Sequence, residues 1–164
     1  MMSPDFIKPS IIVSACLLGY KCRYNGKSSY FPILVSSLKQ YQVIPVCPEV
    51  LGGLPIPRPP LEISNGDGNG VWAGSALVLN EQGANFTSEF QKGALNVLKL
   101  CRKHEIKMAI LKEKSPSCGS NQIYDGTFSK RIIPGSGVTA SLLKNEGIEV
   151  ISEQEWLMGG SSFA

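Results

Sequence analysis

Three of the five cysteines in this chain follow apolar segments that have the composition of β-strands. Cys16 follows residues 11–15, Cys47 follows residues 42–46, and Cys118 follows residues 108–111 after a short charged turn. Parallel strands bring their carboxyl ends to one edge of a sheet, and open α/β folds bind ligands at that edge. Three thiolates at one point are typical of a metal or iron–sulfur site, so we expect these cysteines to converge there.

The spacing of these cysteines favours an iron–sulfur cluster over zinc. The chain has no CxxC pair, whereas structural zinc sites usually draw four ligands from such paired motifs. Its single histidine, His104, lies at the end of a predicted helix, away from the sheet edge. Three thiolates and one open position suit a cluster that keeps one iron available for chemistry.

The two remaining cysteines have simpler interpretations. Cys101 lies on the apolar face of a predicted helix, where a buried cysteine usually acts as a small core residue. Cys22 lies in the loop of residues 19–26. It could be a fourth ligand, a resolving thiol or a cysteine without a role, and we favour the last of these.

Polar residues beside the cysteines could supply acid–base chemistry. Glu49 is two residues from Cys47, so its carboxylate is a candidate general base, the alternative being that it only caps a backbone group or pairs with Arg58. Ser115 shares a loop with Cys118. It could orient a water or a substrate, although turn serines commonly cap backbone groups.

The segment Gly135-Ser136-Gly137 precedes a predicted helix. Backbone N–H groups of a glycine-rich turn at a helix N-terminus can bind a phosphate group. These three residues are therefore a candidate phosphate site, and the alternative is a tight turn that binds nothing.

Strands and helices must alternate along the chain to position these residues. We predict strands at 10–16, 42–47, 107–112 and 148–151, and helices at about 28–38, at 88–104 with Ser88 and Gln91 in capping-box spacing, and from Gly137 to Gly147. Residues 45–60 contain six prolines and predict a stiff loop, and residues 64–70 predict a hairpin turn into residues 71–79. The alternation predicts a three-layer α/β/α, Rossmann-like fold with a mostly parallel sheet and an added hairpin.

Length and composition place the chain among ordinary globular proteins. The 164 residues suit a single domain, 1–164, and no apolar run is long enough to cross a bilayer. Residues 1–5 lack the layout of a signal peptide, so we predict a cytoplasmic protein whose cysteines stay reduced. A net charge of +3 permits an anionic small ligand but gives no argument for nucleic acid, and nothing indicates an oligomeric state.

Several blocks of sequence together resemble the bacterial thiouracil desulfidase (TudS-like) family. The blocks are VSACLLG at 13–19, RYNG at 23–26, PVCPE at 45–49, GGLP at 52–55, KEKSPSCG at 112–119 and GVTA at 137–140. The match runs from about residue 10 to residue 153 and is closest to the short, single-domain form of the family.

This resemblance implies a [4Fe-4S] cluster held by Cys16, Cys47 and Cys118, with one iron free of protein ligands. It also implies an acidic residue and a serine beside the cluster, which correspond in position to Glu49 and Ser115. The implied ligand is a small thiolated pyrimidine, either a base or its nucleotide.

The reaction that we expect is a non-redox desulfuration. It would convert 4-thiouracil or 4-thiouridine monophosphate to uracil or UMP and hydrosulfide. The iron would act as a Lewis acid on the thiocarbonyl sulfur, Glu49 would activate water and Ser115 would orient water or substrate. The alternatives are a protein that binds a metal or cluster without turnover, and a thiol redox protein that uses Cys16 and Cys22.

Overall fold

The structure is a computed structural model that describes residues 7–159. Its core is built on a parallel sheet of four strands in the order β2-β1-β5-β8. The strands are β1 (Ser10–Ser14), β2 (Gln42–Val46), β3 (Leu61–Ser64), β4 (Leu77–Asn80), β5 (Met108–Leu111), β6 (Gln122–Tyr124), β7 (Ile132–Pro134) and β8 (Glu149–Ser152). The helices are α1 (Pro32–Ser36), α2 (Pro48–Leu51), α3 (Gly68–Ala73), α4 (Thr87–Lys103), α5 (Val138–Asn145) and α6 (Glu153–Leu157).

Helices cover both faces of this sheet because successive residues of its buried strands point to opposite sides. Ile12 of β1 packs with the apolar faces of α4 and α5. Its neighbour Val13 packs on the other face with Leu34 of α1 and Trp156 of α6. The predicted three-layer α/β/α fold with a parallel sheet is therefore confirmed.

A third group of buried side chains lies beneath the antiparallel pair β3–β4. Ile63 and Val78 from this pair pack against Phe90 and Ala94 in the first half of α4. The second half of α4 packs on the main sheet, so this helix joins the two parts of the core.

The segment at 64–70 is not the hairpin turn that we predicted, although β3 and β4 do pair. Between the strands lies α3, and the carboxylate of Asp67 caps it by accepting N–H groups from Asn69 at 3.0 Å and Gly70 at 3.3 Å. Gly74 ends the helix in the left-handed conformation, at φ 84°. The residues that indicated a turn thus cap a short helix instead. Turns and helix caps favour the same residue types, so the two cannot be told apart by composition.

A second antiparallel pair, β6–β7, was missed in the sequence because each strand has only three residues. The proline-rich stretch also contains a helix, α2, so the prediction of a loop throughout residues 45–60 is wrong. Pro48 occupies the first turn of α2, where its missing N–H costs no helical hydrogen bond. Pro45 lies in β2, an edge strand, where proline is tolerated.

Two predicted helix starts are also wrong. α1 begins at Pro32 rather than at residue 28 or 29. α4 begins at Thr87, and its first turn has no side-chain cap, so the predicted capping box of Ser88 and Gln91 is absent. Thr87 instead accepts the N–H of Val78 at 2.9 Å, which ties the start of α4 to β4.

Within the described residues, no helix is long and apolar enough to cross a membrane. Residues 1–5, which contributed to the cytoplasmic prediction, and residues 160–164 of the predicted single domain lie outside the described residues.

Candidate active site

A cavity of about 390 Å³ opens at the carboxyl-terminal edge of the parallel sheet. In this sheet, β2 lies on one side of β1, whereas β5 and β8 lie on the other side. The boundary between β1 and β5 is therefore a topological switch point, which is where open α/β sheets bind ligands. The segments that follow β1, β2 and β5 all contribute to the cavity wall.

All three cysteines that follow predicted strands line this cavity. Cys16 lies in a short 3₁₀ helix (Ala15–Leu18) that continues directly from β1. Cys47 lies between β2 and α2, and Cys118 lies in the loop after β5. Cys101 is not part of the wall, because it is buried in the core on α4. The convergence expected from the strand ends is therefore present in the structure.

Burial raises the pKa of two of these thiols above the ordinary value of 9.0. It raises the pKa of Cys16 to about 11 and the pKa of Cys118 to about 12. The Ser117 hydroxyl donates to the Cys118 sulfur at 3.7 Å and partly opposes this rise. Because only thiolates bind metals strongly, loading these residues with a metal must release protons.

Cys22 also lines the cavity. Interaction with the Cys22 thiol lowers the pKa of Cys47 to about 7, and the same interaction raises the pKa of Cys22. The Cys47 sulfur also lies 3.8 Å from the Cys22 carbonyl oxygen.

Glu49, in the first turn of α2, reaches the cavity and forms an ion pair with Arg58. The pair is shielded from solvent, with side-chain exposures of 15% for Glu49 and 2% for Arg58. Arg58 also donates to the carbonyl oxygens of Cys22 at 2.9 Å and Pro55 at 3.2 Å, so its guanidinium is fixed in place. The pairing with Arg58 that the sequence offered as one alternative is therefore present, and Glu49 also lines the cavity.

Ser115 lies on the cavity wall and organises the loop that carries Cys118. Its hydroxyl oxygen accepts the N–H of Ser117 at 3.2 Å and that of Cys118 at 3.1 Å. The capping role expected of a turn serine is present, and the same hydroxyl borders the cavity.

Glu113 is a residue of this site that the sequence reasoning missed. Its buried carboxylate accepts backbone N–H groups from Ser120 at 2.8 Å, Asn121 at 3.0 Å and Gln122 at 3.1 Å. These bonds close the loop that holds Ser115 and Cys118. The available signal was an acidic residue almost directly after a buried strand, where a carboxylate needs partners to be buried.

Gly135, Ser136 and Gly137 do not form the predicted phosphate site. They are not part of the cavity wall, and their N–H groups are already used. Gly135 donates to the Asn121 carbonyl at 3.0 Å, Ser136 to the Asp67 carboxylate at 3.3 Å and Gly137 to the Gly119 carbonyl at 2.8 Å.

The segment has a structural role instead. A side-chain carbon at Gly137 would lie 2.5 Å from the carbonyl carbon of Ser117, so glycine allows α5 to approach the cysteine loop closely. The first N–H groups of α5 donate to the carbonyls of Pro116 and Ser117 at 2.9–3.1 Å. The helix start therefore anchors the loop that carries Cys118 rather than binding an anion.

Strained backbone is concentrated in one part of the cavity wall. Lys114, Phe128 and Lys130 have left-handed φ angles of 70°, 58° and 62°, and all three line the cavity. The Glu62 carboxylate holds the segment by accepting N–H groups from Gly126 at 2.9 Å and Phe128 at 3.2 Å. Such strain costs free energy, and it tends to persist at binding sites where the surroundings enforce it.

In the described part of the chain, three cations of the cavity wall have no carboxylate partner, and three of its four carboxylates have no cation partner. Within residues 7–159, no carboxylate forms an ion pair with Arg23, Lys114 or Lys130, and all three line the cavity. By contrast, the Glu49 carboxylate pairs with Arg58, and the Glu62 carboxylate accepts backbone N–H groups. Arg23, Lys114 and Lys130 are the wall cations that an anionic ligand would meet.

The donor set fits an iron–sulfur cluster better than a single metal ion. Among the described residues, no group of three or more His, Cys, Asp or Glu side chains is arranged to hold one ion. A four-iron cluster is larger and takes thiolates spread around its volume. Three cysteines from separate segments around one 390 Å³ cavity meet that requirement.

Known proteins similar to this chain include a family and individual relatives. The sequence profile of the 2-thiouracil desulfurase family matches residues 11–155. YbbK of Bacillus subtilis (strain 168), described as uncharacterized, is 44% identical over 145 residues, which are 88% of this chain and 96% of that protein. A solved structure described as the [4Fe-4S]-dependent thiouracil desulfidase TudS is similar with a TM-score of 0.80 and 42% identity, over 92% of this chain and 95% of that one.

Proposed function

The chain belongs to the 2-thiouracil desulfurase family, as its sequence blocks suggested, and from this premise we propose that it is a [4Fe-4S]-dependent desulfidase of thiolated uracil or its nucleotide. The observation that carries the proposal is the convergence of Cys16, Cys47 and Cys118 with Glu49 on one cavity. The similarity in sequence and structure to TudS supports the same conclusion.

Cys16, Cys47 and Cys118 would hold the cluster. Bound by these three cysteines, the cluster would supply a Lewis-acidic iron for the soft thiocarbonyl sulfur of the substrate. Binding requires the protons of the buried Cys16 and Cys118 thiols to leave, because the pKa of each is raised in the metal-free chain.

Glu49 supplies the base in this proposal. Its carboxylate takes a proton from a water in the cavity, and the hydroxide attacks the carbon that bears sulfur. The carbon–sulfur bond breaks, sulfur leaves as hydrosulfide and Glu49 releases its proton, so water and thiouracil give uracil, hydrosulfide and a proton without net oxidation or reduction. Arg58 fixes the orientation of the carboxylate, and the Ser115 hydroxyl orients water or substrate.

The unpaired cations on the wall extend the proposal to a nucleotide substrate. Arg23, Lys114 and Lys130 can face the phosphate of a thiolated uridine monophosphate, and they replace Gly135–Gly137 as candidates for that role. Phe128 also lines the cavity and is the aromatic residue that we propose for stacking on the pyrimidine.

Anaerobic reconstitution with iron and sulfide tests the proposal. We expect a brown protein that converts 2-thiouracil, 4-thiouracil or 4-thiouridine monophosphate to the uracil product, detected by chromatography together with released sulfide. Cys118→Ser should lose both iron and turnover, whereas the core variant Cys101→Ser should keep both. A loaded protein that turns over none of the three compounds would support a storage or structural role for the cluster instead.

A further inference from the structure

Cys22 lies beside Cys47 at the cavity, and of these two cysteines only Cys47 has a proposed role. Both line the cavity, and Cys47 packs against the apolar cluster to which Cys22 belongs. The Cys47 sulfur is 3.8 Å from the carbonyl oxygen of Cys22 itself. The two residues are 25 positions apart in the chain, so the fold rather than the sequence creates this pair.

The loop that carries Cys22 is held against α2 rather than free to move away. Arg58 donates to the Cys22 carbonyl at 2.9 Å, and the same guanidinium pairs with Glu49 of α2. Within the loop, the N–H of Arg23 donates to the Lys27 carbonyl at 3.1 Å. The position of Cys22 beside Cys47 is therefore part of the folded structure.

Other pairings of the cavity cysteines are less favourable on the same geometry. Cys118 has its own donor, the Ser117 hydroxyl at 3.7 Å, and lies in a separate loop anchored by α5. Cys16 is fixed in the 3₁₀ helix after β1. Cys22 is the cysteine whose backbone carbonyl oxygen lies 3.8 Å from the Cys47 sulfur.

We propose that Cys22 is a resolving thiol that forms a disulfide with Cys47 when the cluster is absent and a peroxide enters the cavity. Hydrogen peroxide oxidises the Cys47 thiol to a sulfenic acid and releases one water. The Cys22 thiol attacks the Cys47 sulfur, the sulfur–sulfur bond forms, and the hydroxyl leaves with the Cys22 proton as a second water. Two thiols are oxidised and one peroxide is reduced to two waters.

The disulfide would protect a cluster ligand. A sulfenic acid without a neighbouring thiol proceeds to sulfinic acid, which cannot be recovered by simple reduction. A disulfide returns to two thiols with a dithiol reductant, so the site can be loaded again. This consequence rests on the proposed ligand role of Cys47, whereas formation of the bond does not.

The test uses the full chain, first anaerobically purified and freed of metal by a chelator, then treated with an equimolar amount of hydrogen peroxide. We expect titratable thiols of the denatured protein to fall from five to three, the mass to fall by two hydrogen atoms, and a dithiol to reverse both changes. Chymotrypsin cleaves after Tyr20 and Tyr24 and isolates Cys22 in a short peptide, which we expect to be linked to the peptide with Cys47.

Two variants make the result specific. Cys101→Ser, in the core, should still form the Cys22–Cys47 link. Cys22→Ser should form no link at Cys47, gain oxygen atoms there instead, and fail to regain iron binding after reduction. A link between Cys47 and Cys16 or Cys118, or oxygen addition at Cys47 in the wild-type chain, would overturn the proposal. Because the readouts are thiols and mass, they remain valid even if the chain shows no desulfidase activity.

Discussion

The carboxylates of this site differ in the groups that donate hydrogen bonds to them. The Glu62 and Glu113 carboxylates accept backbone N–H groups and hold loops in place, whereas Glu49 has a charged partner and an edge on the cavity. A carboxylate that accepts several N–H groups is committed to structure, because removing it would leave buried donors unpaired. Glu49 is therefore the carboxylate best placed for chemistry.

Replacing Glu49 with glutamine tests that assignment. Glutamine keeps the size of the side chain and an oxygen for Arg58, but it cannot take a proton from water. We expect the iron content to stay unchanged and kcat to fall by a factor of roughly 10²–10⁴. Glu81→Gln removes an exposed carboxylate from the same cavity wall and should leave kcat close to the wild-type value. Full activity of the Glu49 variant would remove that residue from the mechanism.

The buried thiol of Cys101 predicts a pH dependence of stability. Burial raises its pKa from 9.0 in the unfolded chain to about 11 in the folded chain. Between these values the unfolded chain has lost the proton and the folded chain has kept it, so stability falls as pH rises. Urea unfolding under reducing conditions should show wild type losing about 1 kcal/mol more than Cys101→Ala from about pH 8 to about pH 10. Parallel pH curves for the two proteins would contradict this prediction.

Whole elements in this fold are positioned by glycines at which two backbones meet. α2 carries Glu49 and packs against α4, and a side-chain carbon at Gly93 of α4 would lie 1.9 Å from the Pro48 carbonyl oxygen. At Gly52, just after α2, it would lie 2.0 Å from the Glu89 carbonyl oxygen. The two helices are thus close enough to fix α2 relative to the sheet, and with it the carboxylate at the cavity.

Gly93→Ala tests the importance of this close packing. In an ordinary helix, replacing glycine with alanine stabilises by roughly 0.5–1 kcal/mol. Here the added methyl group must displace the backbone of α2, so we expect a loss of about 1–3 kcal/mol in the free energy of unfolding and a lower iron content after reconstitution. Lys99→Ala, on the exposed face of the same helix, should change stability by less than about 0.5 kcal/mol. An increase in stability for Gly93→Ala would show that the two helices can separate freely.

The molecule as a whole has two tryptophans that report on different parts of its core. Trp72 of α3 packs beside the group beneath β3–β4 and donates to the Val138 carbonyl at 2.9 Å. Trp156 of α6 belongs to the buried group between the main sheet and the helices α1 and α6, and it donates to the Ser37 hydroxyl at 2.7 Å. The helix α4 and the sheet connect these regions, so they should unfold together.

Single-tryptophan variants test this cooperativity. Fluorescence of Trp72→Phe follows the α6 region, and fluorescence of Trp156→Phe follows the α3 region. We expect each variant to show one denaturant midpoint that coincides with its own circular-dichroism transition, as for a single cooperative domain. A fluorescence transition that precedes the loss of helix in either variant would indicate two independently unfolding units.

Much of this architecture could be predicted from the sequence because its signals are local. Buried β-strands, the amphipathic helix α4 and the positions of Cys16, Cys47 and Cys118 after strands follow from residue pattern alone. Parallel strands share one edge, so the pattern also determines that these cysteines converge. The identity of α3 could not be read in this way, because the caps of a short helix and the residues of a turn have the same composition.

Only the tertiary structure decided which polar groups remain available at that edge. The N–H groups of Gly135–Gly137 are suited to a phosphate in isolation, but folding gives them to the carbonyls of Asn121 and Gly119 and to Asp67. The contact of Cys22 with Cys47 and the closure of the cysteine loop by Glu113 likewise join residues whose partners no local pattern specifies. Sequence determines where chemical groups lie along each element. The buried hydrogen bonds and ion pairs, which form only when distant segments meet, determine which of those groups remain free to act.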